Sequence, residues 1–308
     1  KTLILRKVMH MNAKLKSTPQ PNCTQPELGL YQRFRLTIAP QAKLTLPDYS
    51  GSMLRGIFGH ALLRHSCRCG NAQKHTSECT YSHVFEGAGP TGIARGIDRS
   101  PRFVITPPPA KTYSLGDFFT LDLVVFGINP GQLSEIKEAW QDACVRGMGT
   151  PPVRCTLVSF EKYDRPIPLL SSEVTLDFKT PWLMKRHGRI LCPSECSAAD
   201  FLWAINHRQA LLNANFNLGL PTIDTHALAT LGRQILIKKD LKSVTWQRYS
   251  SRQTRQHPLS GMLGRIRLSH PKSNGLAPLS ALLGHGTMLH AGAKTSFGLG
   301  AYELEANH

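Results

Sequence analysis

The chain has 308 residues, 41% of them hydrophobic, which can fill a real core in one large domain or two medium ones and excludes a disordered tail. Lys and Arg total 37 against 20 Asp and Glu, and the resulting formal charge of +17 predicts a polyanionic partner, either a phosphate backbone or an anionic surface. No apolar run is long enough to span a bilayer, and Lys1 to Arg6 does not lead into a signal-type core, so a soluble, cytoplasmic protein with no membrane association is expected.

The elements follow in chain order. Residues 1–28 show no sustained period and read as an N-terminal extension. Leu30 to Ile38 alternates like a half-buried strand, with Arg33 and Arg35 opposite Phe34, Leu36 and Ile38. Turn chemistry at Pro47 to Gly51 then leads to a helix through Met53, Leu54, Ile57, Phe58, Ala61 and Leu62, with Ser52 as its expected N-cap. Phe103 to Thr106 and Phe118 to Phe126 read as strands, Gln132 to Arg146 as helix, and Cys155 to Phe160 as strand. This is the split βαβ order of ferredoxin-like and RNA-recognition folds.

A second set follows the prolines at 166 and 168. Val174 to Phe178 is a strand and Ala198 to Asn213 a helix; Val244 to Tyr249 and Met262 to Leu268 are strands, Leu279 to Leu283 a short helix, and Gly298 to Leu304 the last strand. The organisation expected is an extension over 1–28, a first domain over 29–165 with a cysteine-containing insertion near 65–90, and a second domain over 166–308.

Eight cysteines are present, and Cys67, Cys69 and Cys79 crowd together while the rest are scattered. Without a secretory signal, free thiols or a metal site are expected rather than disulfides. Near the C-terminus, glycines at 292, 298 and 300 surround Lys294, Thr295 and Ser296, a composition able to turn tightly and point N–H groups at an anion. The run lacks Walker spacing, and glycines before a terminal strand also serve as purely structural turns.

The run GAKTSFGLGAYEL, Gly292 to Leu304, resembles the C-terminal glycine-rich loop and strand of the RAMP superfamily of CRISPR-associated proteins. Gly51 to Cys67, Cys79 to Glu86, Arg102 to Gly127 and Arg255 to Leu268 resemble, in the same order, the repeat-specific endoribonucleases that cut precursor CRISPR RNA. The resemblance implies an α+β fold of two tandem ferredoxin-like (RRM-like) domains. It also implies cleavage of the repeat hairpin without a catalytic cofactor, leaving 5′-hydroxyl and 2′,3′-cyclic phosphate ends. Mature crRNA and other effector subunits are the implied partners.

The family often places its general base on or just after the first helix, which singles out His60, with His65 as the alternative. At 3.6 residues per turn the two stand about 140° apart. Tyr49 or Tyr31 would assist, and Arg55 and Arg64 on the same helix would clamp phosphate. Gly292, Lys294, Thr295, Ser296 and Gly298 of the loop, with Arg252, Arg255, Arg265 and Arg267, are the expected RNA contacts; a solvated basic face is the other reading of the arginines. The basic segments at 185–189 and 238–242 would add attraction without base specificity, and Trp246, Tyr249 and Phe297 would stack on bases or sit in the core.

Many relatives carry a four-cysteine cluster that looks zinc-binding. Only Cys67, Cys69 and Cys79 match here, with His65, His75 and His83 nearby, so a Cys₃His zinc site and a metal-free loop both stand. A non-catalytic RAMP subunit that binds or caps crRNA is the alternative function, and a basic DNA-binding or membrane-surface protein the third.

Overall fold

A computed structural model describes residues 31–69, 75–76, 78–87, 100–186, 188–250 and 255–305. The expected extension over 1–28, and Arg252, lie outside these described residues. β1 (Gln32–Pro40) buries Phe34, Leu36 and Ile38 on one face, as its alternation predicts. It leads through β2 (Leu44–Thr45) to α1 (Gly51–Ser66) and the short α2 (Thr80–Phe85). β3 (Phe103–Thr106), β4 (Thr112–Tyr113), β5 (Phe119–Val125), α3 (Pro130–Arg146) and β6 (Cys155–Lys162) complete the first unit.

Its sheet runs in the order β3, β5, β1, β6 with antiparallel neighbours throughout, which is the ferredoxin-like arrangement. α1 and α3 cover one face, and the Phe58 and Trp140 rings stack between them with centroids 5.1 Å apart. α3 starts on a capping box: the Asn129 side chain accepts from the Gln132 amide at 2.9 Å, and the Gln132 side chain accepts from the Asn129 amide at 3.0 Å. α1 starts differently from expectation. Its N-cap is Ser50 and not Ser52, and no side chain caps it.

The second unit repeats the plan with β7 (Glu173–Trp182), β8 (Lys185–Arg186), β9 (Arg189–Ile190), α4 (Ala198–Phe216), α5 (Thr225–Gln234), β10 (Leu236–Ser250), β11 (Arg255–Ser269), α6 (Ser280–Leu289) and β12 (Tyr302–Glu305). Its sheet order, β10, β11, β7, β12, places first, second, third and fourth strands as in the first unit. β10 is far longer than the strand read at 244–249, and the last strand begins only at Tyr302 because Gly298 and Gly300 still hold positive φ.

Each unit has its own core, and a third cluster joins them. Val104, Val124 and Phe126 of the first unit meet Leu212, Leu218, Leu220, Met288 and Leu289 of the second. Polar ties flank this seam: Arg208 Nη1 donates to the Ser100 hydroxyl at 2.8 Å, and Tyr31 Oη lies 2.9 Å from His285 Nδ1. The sheet faces turned away from the helices look onto a shared cleft of about 620 Å³, reached by Arg35, Asp122, Lys179, Leu263 and Glu303, with Tyr49 and Trp246 at its wall. Among the described residues no helix is long and apolar enough to cross a membrane.

Candidate active site

Helix α1 carries most of the residues singled out for chemistry. His60 is exposed, and one turn before it a side chain at Gly56 would enter open space, so a substrate backbone can approach the helix there. One turn after it stands Arg64, whose Nη2 donates to Asp142 Oδ2 at 2.6 Å; Asp142 also accepts from Arg146 Nε at 2.9 Å. His65 pairs with Glu138 on α3.

Tyr49 is half-buried at the cleft wall; burial raises its pKa well above the usual phenol value, and its hydroxyl donates to the Phe297 carbonyl of the glycine-rich loop. Arg55 lies over two rings, its guanidinium carbon 4.2 Å from the Phe85 centroid and 4.6 Å from that of Phe297.

The loop itself is folded onto the protein. Lys294 and Gly298 are both left-handed, at φ +59° and +81°, and bracket a single turn over Thr295–Phe297. The amides of Ala291, Ala293, Phe297, Gly298 and Gly300 donate to the carbonyls of Gly300, Leu183, Lys294, Thr295 and Pro181. Those donors are committed to protein acceptors, which leaves a smaller cradle for an anion than the glycine content suggested. Thr295 and Gly298 are buried, and the Gly298 carbonyl accepts from Thr180 Oγ1 at 2.7 Å; Gly292, Lys294 and Ser296 are half-buried. His290 opens the loop at φ +61°. Its Nδ1 donates to the Leu299 carbonyl at 3.1 Å, so its Nε2 accepts from Thr106 of β3 at 3.0 Å.

On the open face of the second sheet, Arg265 stands in register with Asp177, and Asp177 with Glu303. Arg265 lies 3.6 Å from Asp177 and 3.9 Å from Glu305, and Arg267 3.9 Å from Glu173. Such exposed pairs are worth about 0–1 kcal/mol, so a phosphate can compete for the arginines. Arg255 opens β11 opposite Ser250.

Near the end of α1 the cysteine-bearing segment gathers a four-ligand set. Cys67 Sγ, Cys69 Sγ, Cys79 Sγ and one His75 nitrogen all lie within 4.8 Å of one another, and His75 Nδ1 is 3.4 Å from Cys67 Sγ and 3.6 Å from Cys79 Sγ. Zn–S near 2.3 Å and Zn–N near 2.0 Å in a tetrahedron put sulfur and nitrogen about 3.5 Å apart, so these four groups fit zinc. His75 is the fourth member; His65 holds Glu138, and His83 Nδ1 accepts from the Gln132 side chain at 2.9 Å. The Thr76 amide, with help from His75, lowers the Cys69 thiol to about 6, while burial pushes Cys79 up to about 12.

Compared with known proteins, residues 176–302 match the family model of the CRISPR-associated endoribonuclease Cas6, and residues 26–175 match the model of an N-terminal domain family, AF_1859_N. No curated protein matches the chain by sequence. Among solved structures, a Cas6 product complex is 17% identical at a TM-score of 0.55, covering 90% of this chain and 99% of that one. Thermus thermophilus Cas6 is 14% identical at a TM-score of 0.52, covering 91% of this chain and all of the other (100%). A Cas6-RT-Cas1–Cas2 complex is 16% identical at 0.56, covering 90% of this chain and 29% of that one. At such identities the structures speak for the fold. Residues 176–302 thus match the Cas6 family of CRISPR-associated endoribonucleases, on a tandem ferredoxin-like fold that ends in the glycine-rich loop.

Proposed function

We propose that the chain binds the CRISPR repeat hairpin and cuts precursor crRNA with His60 as the general base, without a metal in the chemistry. The observation that carries this reading is the exposed His60 on the first helix, beside the open space over Gly56, in a chain whose second half matches Cas6. The 2′-hydroxyl upstream of the scissile phosphate gives its proton to the imidazole and attacks phosphorus in line. The bond to the 5′-oxygen breaks, and that oxygen takes a proton from water while the imidazolium returns its own proton to solvent, so the products are a 2′,3′-cyclic phosphate and a 5′-hydroxyl. Arg64, one turn away, neutralises charge on the phosphate in exchange for Asp142.

Lys294, Ser296 and the Gly292 backbone, with Arg265 and Arg267, supply the phosphate contacts. Trp246 at the cleft wall offers a face to an unpaired base. Cys67, Cys69, His75 and Cys79 hold a structural zinc that fixes the segment after α1. Retention on mature crRNA beside other CRISPR proteins is part of this reading, and it draws on the assembly of one similar protein with RT, Cas1 and Cas2.

The test incubates the protein with its own repeat RNA in EDTA, with and without a 2′-deoxy substitution upstream of the cut. A 5′-hydroxyl product that disappears with the deoxy substrate is expected, and His60→Ala should slow cleavage by about 10²- to 10⁴-fold. RNA bound tightly but left intact would instead make the chain a non-catalytic crRNA-binding subunit.

A further inference from the structure

The glycine-rich loop touches helix α1 more intimately than a loop devoted to RNA requires. A Cβ on Gly51, in the first turn of α1, would fall 2.0 Å from the Phe297 carbonyl, the same carbonyl that accepts from Tyr49. A Cβ on Gly298 would fall 2.5 Å from the Ile105 carbonyl of β3. The Arg55 guanidinium carbon lies over both the Phe297 and the Phe85 rings, 4.6 and 4.2 Å from their centroids. Phe85 in turn sits against Gly59, where a Cβ would meet its ring at 2.3 Å. Gly59 immediately precedes His60. A continuous stack thus runs from the loop of the second unit, through Arg55 and Phe85, to the backbone that carries His60.

We infer that Phe297, Arg55 and Phe85 are positioning residues: the loop's aromatic ring sets the rotation and height of α1, and hence the aim of His60, relative to the RNA held by the second unit. The inference rests on the reading of α1 as the catalytic helix. The residues at the stack's contacts suit the task. Two glycines allow ring and carbonyl to press against helix backbone, and a planar guanidinium over two rings resists sliding better than an aliphatic side chain would. The committed amides of Phe297, Gly298 and Gly300 hold the loop in one shape, so a displacement at Phe297 is passed to the helix rather than absorbed.

The experiment measures single-turnover cleavage and RNA affinity in parallel on the full chain for wild type, Phe297→Leu, Arg55→Met, Phe297→Tyr and His60→Ala. A misplacement of about 1 Å costs on the order of 10²-fold in rate. Phe297→Leu and Arg55→Met are therefore expected to slow the cleavage step by that order while RNA affinity stays within about threefold. Phe297→Tyr keeps the ring and should restore the rate, and the pH at half-maximal rate should not move, because the base is unchanged. A denaturation midpoint for each variant checks folding; if Phe297→Leu unfolds, Arg55→Met decides.

Affinity and rate falling together would make these residues RNA contacts and overturn the inference, as would an unchanged cleavage rate in both variants. His60→Ala cutting like wild type would show that α1 is not the catalytic helix and defeat the underlying reading, whatever the stack variants do. A wild-type chain that leaves the RNA intact removes the reaction and the positioning role with it.

Discussion

His290 makes stability depend on pH in a way that can be worked out from its surroundings. It is 1% exposed, at φ +61°, with both ring nitrogens engaged in the neutral form. Desolvation, and then the positive fields of Arg208 and Arg33, lower its pKa from 6.5 to about 3, against opposing contributions from the Leu299 carbonyl and Asp122. The folded value lies below the unfolded one, so the unfolded chain takes the proton first. The contribution is fully present above the unfolded pKa and is lost as pH falls from about 6.5 towards about 3. At one pKa unit per 1.36 kcal/mol, lowering the pH from 7.5 to 5 removes about 2 kcal/mol through this residue alone. His290→Asn removes the titration and keeps a residue type that tolerates positive φ. The assay is chemical denaturation of both proteins at pH 7.5 and 5. Wild type should lose about 2 kcal/mol more than the variant between the two conditions. Other titrating groups, and acid release of any bound metal, cancel in the comparison. Parallel stability–pH profiles would refute the buried neutral imidazole.

Asp122 sits under Arg33, Arg35 and Tyr163, and their hydrogen bonds and charge outweigh the cost of burial and hold its carboxyl below the usual range. Asp122→Ala leaves the Arg33 side chain, 11% exposed, without its carboxylate and should cost about 3–5 kcal/mol in denaturant titrations; a cost under about 1 kcal/mol would reject the pairing. Asn129→Ala removes the cap of α3 and should cost about 1 kcal/mol in the same experiment. Metal analysis of protein purified without chelator should find one zinc per chain, lost in Cys79→Ser; a metal-free wild type that is equally stable would reject the site. The affinity for repeat RNA should fall linearly on a log–log plot against salt, and the slope should become shallower by about one in Arg267→Ala if that residue meets a phosphate.

The strand order was legible because both units keep the period of two wherever a core face exists: Phe34, Leu36 and Ile38 in the first, Val174, Leu176 and Phe178 in the second. Where the structure departs from the reading, a local interaction overrides the pattern. β10 starts eight residues before the strand read at Val244, and takes in the segment Lys238 to Lys242, which the sequence reads as a basic stretch attracting RNA without base specificity. Ile237, Lys239 and Leu241 in fact share the half-buried face, and the Lys239 ammonium donates to the carbonyls of Pro193 at 2.8 Å and Cys196 at 2.6 Å. A lysine satisfied by carbonyls breaks the polar–apolar alternation without breaking the strand. Helix α5 escaped the reading, although Asp224, which accepts from the His226 amide at 2.9 Å, is a readable N-cap. His75 was one of three nearby histidines, and nothing in its spacing from Cys69 or Cys79 favoured it; only the folded segment brings Nδ1 to both Cys67 and Cys79.

The contacts between the glycine-rich loop and α1 were invisible for a different reason. Tyr49 and Phe297 are 248 residues apart, and neither sits in a periodic pattern that points to the other. From sequence neighbourhood alone, Tyr49 reads as a phenol before the helix that could assist catalysis, and Phe297 as an aromatic that stacks on a base or sits in the core. Folding joins them because the two ferredoxin-like units are fused through one apolar seam at Val124, Phe126, Leu212 and Leu289, which brings the second unit's last turn against the first unit's first helix. On the proposed reading, the RNA grip lies on the second unit and the acid–base group on the first. The geometry of the reacting phosphate then depends on how rigidly the units are joined. The committed amides, the His290 bridge to β3 and the ring–guanidinium–ring stack all act at that joint, which is where the sequence spends glycines and a buried histidine that neither unit needs by itself.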